Sequence, residues 1–578
     1  MKRFRNLLLG LLVVVLLIST VACSAPGKGT ANKTSGGTRT NDKKKPGKGE
    51  NNNQDETADI MTPYGKYPEV IEMHTAKRAS SKPNFVKGDT VEDNAMTRYV
   101  QDKLNVKLVV DWEVEGSEFI NKLSLNIISD NLPDMFTLGA GDYLVYKQLL
   151  ENDKLADLTE AYEKCAGDYM KDVFSSYDNK NLAPYTEGGK LYGIAGGRYG
   201  YEHNLLWLRK DWMKECNLEV PKTVEDIKHI LTVFKEKNPG GHNVGMILNA
   251  TDPAGGYGSG YSATPIFEAY GATPKTWIKD KNGDIVYGSV APEMKEGLKV
   301  LAEWYKEGLI DKQFPTRTDG GANDAVWNGS QSGVVFAPWH FSYTEADLPR
   351  NNPDAEVIPV NAPLDSEGNF NVIWPGPSGD AVFINKKYEH PEAVVKVMNA
   401  EYDMWRGFDP EGTKLIKPNR DANVDWGYMF PTSGVNLEYA DIIPNVGLLA
   451  KNYIDKDKLE GAPSATEMDK EMARDAKNYA DTKSLKGMGW VHYHGRYLGS
   501  NLVNTPEVKI TYPVFSFTTE SMADLKPNLD TLESTAFLQI ITGEKPVDYF
   551  DEFVKQWYGQ GGDTVTKEVK NEVKNMGK

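Results

Sequence analysis

Few residues of this 578-residue chain have the types and spacing that covalent chemistry needs. None of the eight histidines is followed by glutamate, so the helical His-Glu-x-x-His zinc site is absent. No Gly-Lys-Ser/Thr closes a phosphate loop, and the run Gly255-Gly256-Tyr257-Gly258-Ser259-Gly260 has neither dinucleotide spacing nor a nucleophile-elbow serine. His492-Tyr493-His494 reads as two imidazoles on one face of a strand without a third ligand, hence a polar pair and not a metal site. Asp280, Asn282 and Asp284 offer oxygens at the spacing of a calcium loop, but Ile285 stands where the turn needs glycine and Ala291 where a bidentate glutamate belongs. Asn282-Gly283 between two short apolar runs predicts a β-hairpin there instead. Among 82 acidic residues no glycosidase-like carboxylate pair stands out. Cys165 and Cys216 fall in helix-like segments and read as buried thiols, although an exported pair could bridge. No catalytic residue, metal or cofactor is expected.

The elements that would position a site are α/β in pattern. Strands are predicted at 70–73, 106–114 and 134–138, and helices at 91–104, 117–129 and 143–150, an alternation that implies a mainly parallel sheet with helices on both faces. Ligands of such sheets bind beyond the carboxyl ends of the strands, which fall at 76–81, 113–117 and 139–142. Asp142 sits just past one of them. Thr223-Val224-Glu225-Asp226 opens a helix with capping-box character, and Pro292 opens another that should stop at Gly308. A further helix should run from Pro391 to Trp405.

Residues 1–22 hold Lys2, Arg3 and Arg5, then twelve apolar or glycine positions from Leu7 to Ile18, a run too short to span a membrane and read as a secretory signal peptide. Ala22-Cys23 resembles a lipoprotein lipobox, with Thr20 where leucine is usual, so Cys23 is the expected lipidation site. Residues 24–57 contain no aromatic, Leu, Ile, Val or Met and cannot build a core, so 23–57 reads as a lipidated cysteine and a disordered linker. The remainder should be exported, soluble and held at the outer face of the cell membrane. With 66 basic against 82 acidic residues, net −16, nucleic acid is excluded as a partner.

Several motifs follow one another along the chain: Glu187-Gly188-Gly189-Lys190-Leu191-Tyr192-Gly193-Ile194, Leu206-Trp207-Leu208-Arg209-Lys210-Asp211-Trp212, Pro221-Lys222-Thr223-Val224-Glu225-Asp226-Ile227, Glu307-Gly308-Leu309-Ile310-Asp311, Gly333-Val334-Val335-Phe336-Ala337-Pro338-Trp339, and Ala381-Val382-Phe383-Ile384-Asn385-Lys386. With Ile540-Ile541-Thr542-Gly543-Glu544-Lys545-Pro546 and Phe553-Val554-Lys555-Gln556-Trp557, this order resembles the extracellular solute-binding proteins, family 1, and their LipO-like lipoprotein branch, over residues 66–575. The resemblance implies a periplasmic-binding-protein-like α/β fold, two interleaved lobes joined by a multi-stranded hinge. The first lobe would comprise 58–198 and 375–405, the second 199–374 and 406–578, with crossings near 196–205 and 358–374. It implies a monomeric, lipid-anchored protein that captures an oligosaccharide in the interlobe cleft and delivers it to the permease subunits of an ABC transporter. A receptor for a peptide or polyamine, or a secreted polysaccharide-acting enzyme, is the alternative.

Members of the family line the cleft with aromatic rings that stack on sugars, and Pro338-Trp339 resembles a stacking Pro-Trp of its maltose-binding members. Because proline cannot extend the preceding strand, Trp339 should lie at the strand's exit, facing the cleft. The other expected ligand contacts are Tyr199 and Tyr201 at the first crossing with Arg198 and Glu202 beside them, Tyr257 and Tyr261 in the glycine-rich run, Trp374, Trp490 with Tyr493, and Asp142.

Overall fold

The helices form where apolar spacing and caps coincide. The Thr223 hydroxyl accepts the Asp226 N–H, and the Asp226 carboxylate in turn accepts the Thr223 N–H, so the helix that follows begins at Val224. Gly308, at φ 72°, ends the helix opened after Pro292 because only a left-handed residue lets the chain turn away there. The computed structural model describes residues 60–576, apart from 318–319, 423 and 463.

In chain order the strands used below are β1 (Ile71–Arg78), β2 (Val106–Val114), β3 (Met135–Leu138), β4 (Ile194–Gly197), β5 (Leu205–Arg209), β6 (Trp277–Lys279), β7 (Ile285–Tyr287), β8 (Val334–Ala337), β9 (Val357–Val360), β10 (Phe370–Ile373), β11 (Ser378–Ile384) and β12 (Val508–Thr511). The helices are α1 (Ala95–Leu104), α2 (Gly116–Ile128), α3 (Tyr143–Glu151), α4 (Val224–Lys237), α5 (Thr264–Ala269), α6 (Met294–Glu307), α7 (Ala393–Arg406), α8 (Ile442–Lys456), α9 (Glu467–Thr482) and α10 (Glu520–Ile541). Two sheets organise the chain. The first has the order β2-β1-β3-β11-β4, parallel across β2-β1-β3 and antiparallel on both sides of β11. The second has the order β8-β5-β9 and is antiparallel.

Both sheets are covered on both faces, which is why their strands read as unbroken apolar runs. In β11, Val382 and Ile384 pack into one cluster with Met73, Val106 and Val397, while Ala381 and Phe383 face the opposite cluster with Phe119, Phe136 and Tyr146. In the second sheet, Leu206, Leu208 and Phe336 join a core with α4, α6 and α10, and Leu205, Trp207 and Val335 join another with Trp339 and Trp490. Each fully buried side chain of this kind contributes about 1.5 to 3 kcal/mol.

The chain interleaves the two sheets. It leaves the first at Gly197, enters the second at Leu205, and returns through residues 374–377 into β11. The next stretch stays with the first core: Ile416, Val424, Met429, Phe430 and Leu437 all pack there, well beyond the boundary at 405 expected from sequence. The third crossing, at 438–441, leads to α8, whose Ile442, Ile443 and Val446 pack in the second half. β10 and β12 pair in parallel as a separate ribbon. The fold is thus the two-lobed α/β binding-protein architecture anticipated from the motifs. Among the described residues, no helix is long and apolar enough to cross a membrane.

Candidate functional site at the interlobe hinge

The hinge is built for close approach. A Cβ on Gly197 would fall 2.3 Å from the Tyr177 ring, and one on Gly200 would lie 3.1 Å from the Trp374 indole, so glycine at these two positions lets the first crossing lie flush against both aromatics. Tyr201, at φ 74°, holds a left-handed conformation that a bulky residue rarely adopts, and its ring stacks with Trp374 at 6.4 Å and 27°. The Glu202 N–H donates to the Tyr257 hydroxyl at 2.8 Å, and that hydroxyl donates to the Tyr199 carbonyl at 3.2 Å. Tyr257 thereby pins the crossing.

On one side of the hinge opens a groove of about 520 Å³. Trp374, Pro375 and Pro377 form its floor, Tyr177 and Arg198 one wall, and Tyr512, Pro513 and Phe517 the other. Tyr512 is 55% exposed and its ring lies 5.4 Å from that of Trp374. Phe517 reaches across to Tyr143 at the start of α3, with ring centroids 4.6 Å apart, so the groove draws on both lobes.

A second pocket, about 480 Å³, lies beyond the carboxyl ends of β1 and β3, where open α/β sheets place ligands. It is polar. Arg78 pairs with Asp142 at 2.7 Å, donates to the Gly116 carbonyl at 3.0 Å, and lies 4.3 Å over the Phe119 ring. Lys77, 1% exposed, donates to the Tyr428 carbonyl at 3.2 Å and to that of Phe430. Burial pushes its ammonium down to about 8, against the opposing pull of Glu401, Asp425 and Glu113. Asp425 accepts from Ser80 at 2.6 Å, and Asp380 approaches Gly139 beside Asp142. The cations of this pocket are engaged within the protein, and its other polar groups are carboxylates and hydroxyls, acceptors and donors suited to neutral hydroxyl-rich molecules.

The structure therefore brings Arg198 and Trp374 to the groove with Tyr201 behind Trp374, and puts Asp142 in the polar pocket. Tyr199 and Glu202 hydrogen-bond through their side chains and line neither cavity. Burial raises the Glu202 carboxyl while Arg198 lowers it, and His340, 4.0 Å away, is pushed down by burial and the Arg496 charge. Three expected contacts are core residues instead. Trp339 does follow the end of β8, but it is 4% exposed, and the Arg496 guanidinium covers its ring at 4.3 Å. Its neighbour Pro338 ends the strand as anticipated, yet the chain turns at once into a short 3-10 segment that folds the indole inward. Tyr261 is 8% exposed and bonded to Asp324 and Glu345. Trp490 is 5% exposed, its ring tilted 34° against that of His494 with centroids 4.3 Å apart. Tyr493 packs with Tyr479 and Tyr497, away from both cavities. Cys23 lies outside the described residues.

The remaining chemical motifs resolve simply. β6 and β7 form the expected hairpin, with Asp280 accepting from the Asn282 and Asp284 N–H groups. His492 and His494 lie on a helix, not a strand: His494 Nδ1 is 2.8 Å from the Trp490 carbonyl one turn earlier. Cys165 and Cys216 are free and buried. Among the described residues no cluster could hold a metal ion. Sequence reasoning overlooked Arg78, Lys77, Asp380, Asp425, Tyr428 and Tyr512. For Arg78 and Lys77 the signal was present, since both sit at the carboxyl end of a strand. The others arrive from distant segments that no local pattern ties to the site.

Comparison with known proteins agrees with this architecture. The family model for bacterial extracellular solute-binding proteins matches residues 82–400. Lipoprotein LipO of Bacillus subtilis strain 168 is 21% identical over 488 residues, 82% of this chain and 87% of LipO. The fructooligosaccharide ABC transporter substrate-binding protein FusA of Streptococcus pneumoniae serotype 4 is 22% identical over 304 residues, 51% of this chain and 55% of FusA. The crystal structure of an extracellular solute-binding protein from Bifidobacterium longum subsp. infantis superposes with a TM-score of 0.59 at 16% identity, covering 89% of this chain and 99% of that one. The family match spans more than half of the sequence and the fold agrees, so the chain belongs to the bacterial extracellular solute-binding proteins.

Proposed function

We propose that the protein is a lipid-anchored receptor that binds an oligosaccharide at the interlobe hinge and delivers it to the permease of an ABC transporter. The observation that carries this reading is the groove floored by Trp374 and walled by Tyr512 and Arg198. Aromatic faces supply contact area to the apolar face of a sugar ring, and the Arg198 guanidinium donates to its hydroxyls. The lobes follow the sheets: 60–197 and 378–437 form one, 205–373 and 442–576 the other, and closure about the three crossings encloses the ligand. Tyr201 and Asp142 act with Trp374 and Arg198, whereas Tyr199, Glu202 and Tyr257 shape the crossing. FusA, named for fructooligosaccharides and crystallised with kestose, supports a carbohydrate ligand. The protein acts as a monomer and turns nothing over. Cys23 carries the lipid that keeps it on the outer face of the membrane.

Isothermal calorimetry of the purified protein against a panel of oligosaccharides tests the reading. Saturable binding to at least one, weakened at least tenfold in Trp374→Ala, is expected. A response confined to peptides or polyamines would assign a different solute, and hydrolysis of a bound oligosaccharide would make the protein an enzyme.

A further inference from the structure

The third crossing carries a buried ionic cluster, and its Glu438 carbonyl accepts the hydroxyl of Tyr177, a wall of the groove, at 2.8 Å. Arg406, at the end of α7, has a side chain only 3% exposed, and its neighbours Tyr402 and Met404 belong to the first core. Its Nη1 lies 3.3 Å from Glu438 Oε1, in the crossing itself, and its Nη2 lies 2.9 Å from Asp469 Oδ2, in the first turn of α9. Asp469, likewise 3% exposed, also accepts the Thr466 hydroxyl at 2.8 Å and the Thr466 N–H at 2.9 Å, so it is fixed to the helix that packs on α8 in the second half. Burial pushes the Glu438 carboxyl up to about 7 against the pull of the Arg406 and Arg496 charges, and Arg496 is the residue that covers Trp339. A single guanidinium therefore joins a helix of the first lobe, the connecting segment and a helix of the second. Taking three charges out of water is costly, and the arrangement holds only while all three partners stay in register.

We infer that Arg406, Glu438 and Asp469 form an ionic clasp that sets the angle between the two lobes, which makes them positioning residues for ligand capture without touching the ligand. Two packed lobes joined by short crossings rotate as bodies, and the population of each setting follows from contacts that differ between settings. The clasp joins the lobes where a small rotation separates Arg406 from Asp469. Its link to affinity rests on the proposed interlobe binding, but its effect on lobe geometry does not.

The test measures lobe separation directly. Spin labels are placed at Ile128→Cys, at the 82% exposed end of α2, and at Val220→Cys, 51% exposed in the second lobe, on a Cys23→Ser background that leaves only the buried thiols. Asp469→Asn keeps the shape of the side chain and removes its charge. The triple replacement Arg406→Leu, Glu438→Gln, Asp469→Asn leaves no charge of the clasp buried. The distance distribution of the ligand-free protein should broaden and shift in both variants. A distribution unchanged in the folded variants, whatever their melting temperatures, overturns the clasp, as does failure of both to fold, which would make the cluster plain core structure. Failure of every oligosaccharide to bind the parent protein would remove the proposed ligand and leave the distance result standing.

Discussion

Two tryptophans occupy opposite settings in this protein. Trp339 is sealed under Arg496 and Trp374 is open to the groove, so truncating each should damage a different property. Trp339→Ala should lower the unfolding free energy by about 3 to 5 kcal/mol, as for other buried tryptophans. Trp374→Ala should cost oligosaccharide affinity at least tenfold, about 1.4 kcal/mol, with a much smaller loss of stability. Denaturant melts paired with calorimetry of the folded fraction check both, and a Trp339→Ala protein of normal stability but no affinity would return that indole to the cleft. The sequence showed where β8 ends, because Pro338 cannot extend the ladder. It did not show which way the next ring turns, because that depends on Gly499, where a Cβ would come within 3.2 Å of the Trp339 Cβ, and on Arg496, more than 150 residues downstream.

At the scale of elements the second crossing depends on a buried acid. Glu268, on α5, is 5% exposed, its carboxyl accepts the Ile373 N–H at the end of β10, and its backbone carbonyl accepts from Asn371 at 3.4 Å. Burial pushes the carboxyl up to about 8 from its usual 4.5. The native protein thus keeps a proton that the unfolded chain has lost above its own pKa. The stability this provides is fully present below pH 4.5 and is lost as pH rises through about 8, at up to ~1.4 kcal/mol per unit. Glu268→Gln preserves the neutral form, so its melting temperature should fall less than that of the parent between about pH 5 and 8. Equal slopes would mean that Glu268 is ionised in the native state. Elements with caps and a clean period, such as α4, were legible to within a residue or two. His492-Tyr493-His494 was not, because a polar-aromatic-polar triplet matches the period of a strand while the backbone there passes from an α-turn into a π-helix.

The interleaving of the whole molecule was legible in outline from the motif order, yet the return to the second lobe comes at 438–441 and not after α7, because Ile416, Met429 and Phe430 complete the first core from a segment with no strand in it. The proposed attachment to the cell belongs to the same scale. Residues 24–57 number 34 and contain no aromatic, Leu, Ile, Val or Met. The apolar run from Leu7 to Ile18 is twelve residues, short of the ~20 needed to span a bilayer. If lipid on Cys23 is the anchor, Cys23→Ser should move the protein from the membrane fraction into the medium with its fold and affinity intact. Fractionation of cells expressing each form, followed by calorimetry on the released protein, measures both. Unchanged retention of the Cys23→Ser form would place the anchor in the uncleaved apolar run or in contacts of the body itself, since no described helix can span a membrane.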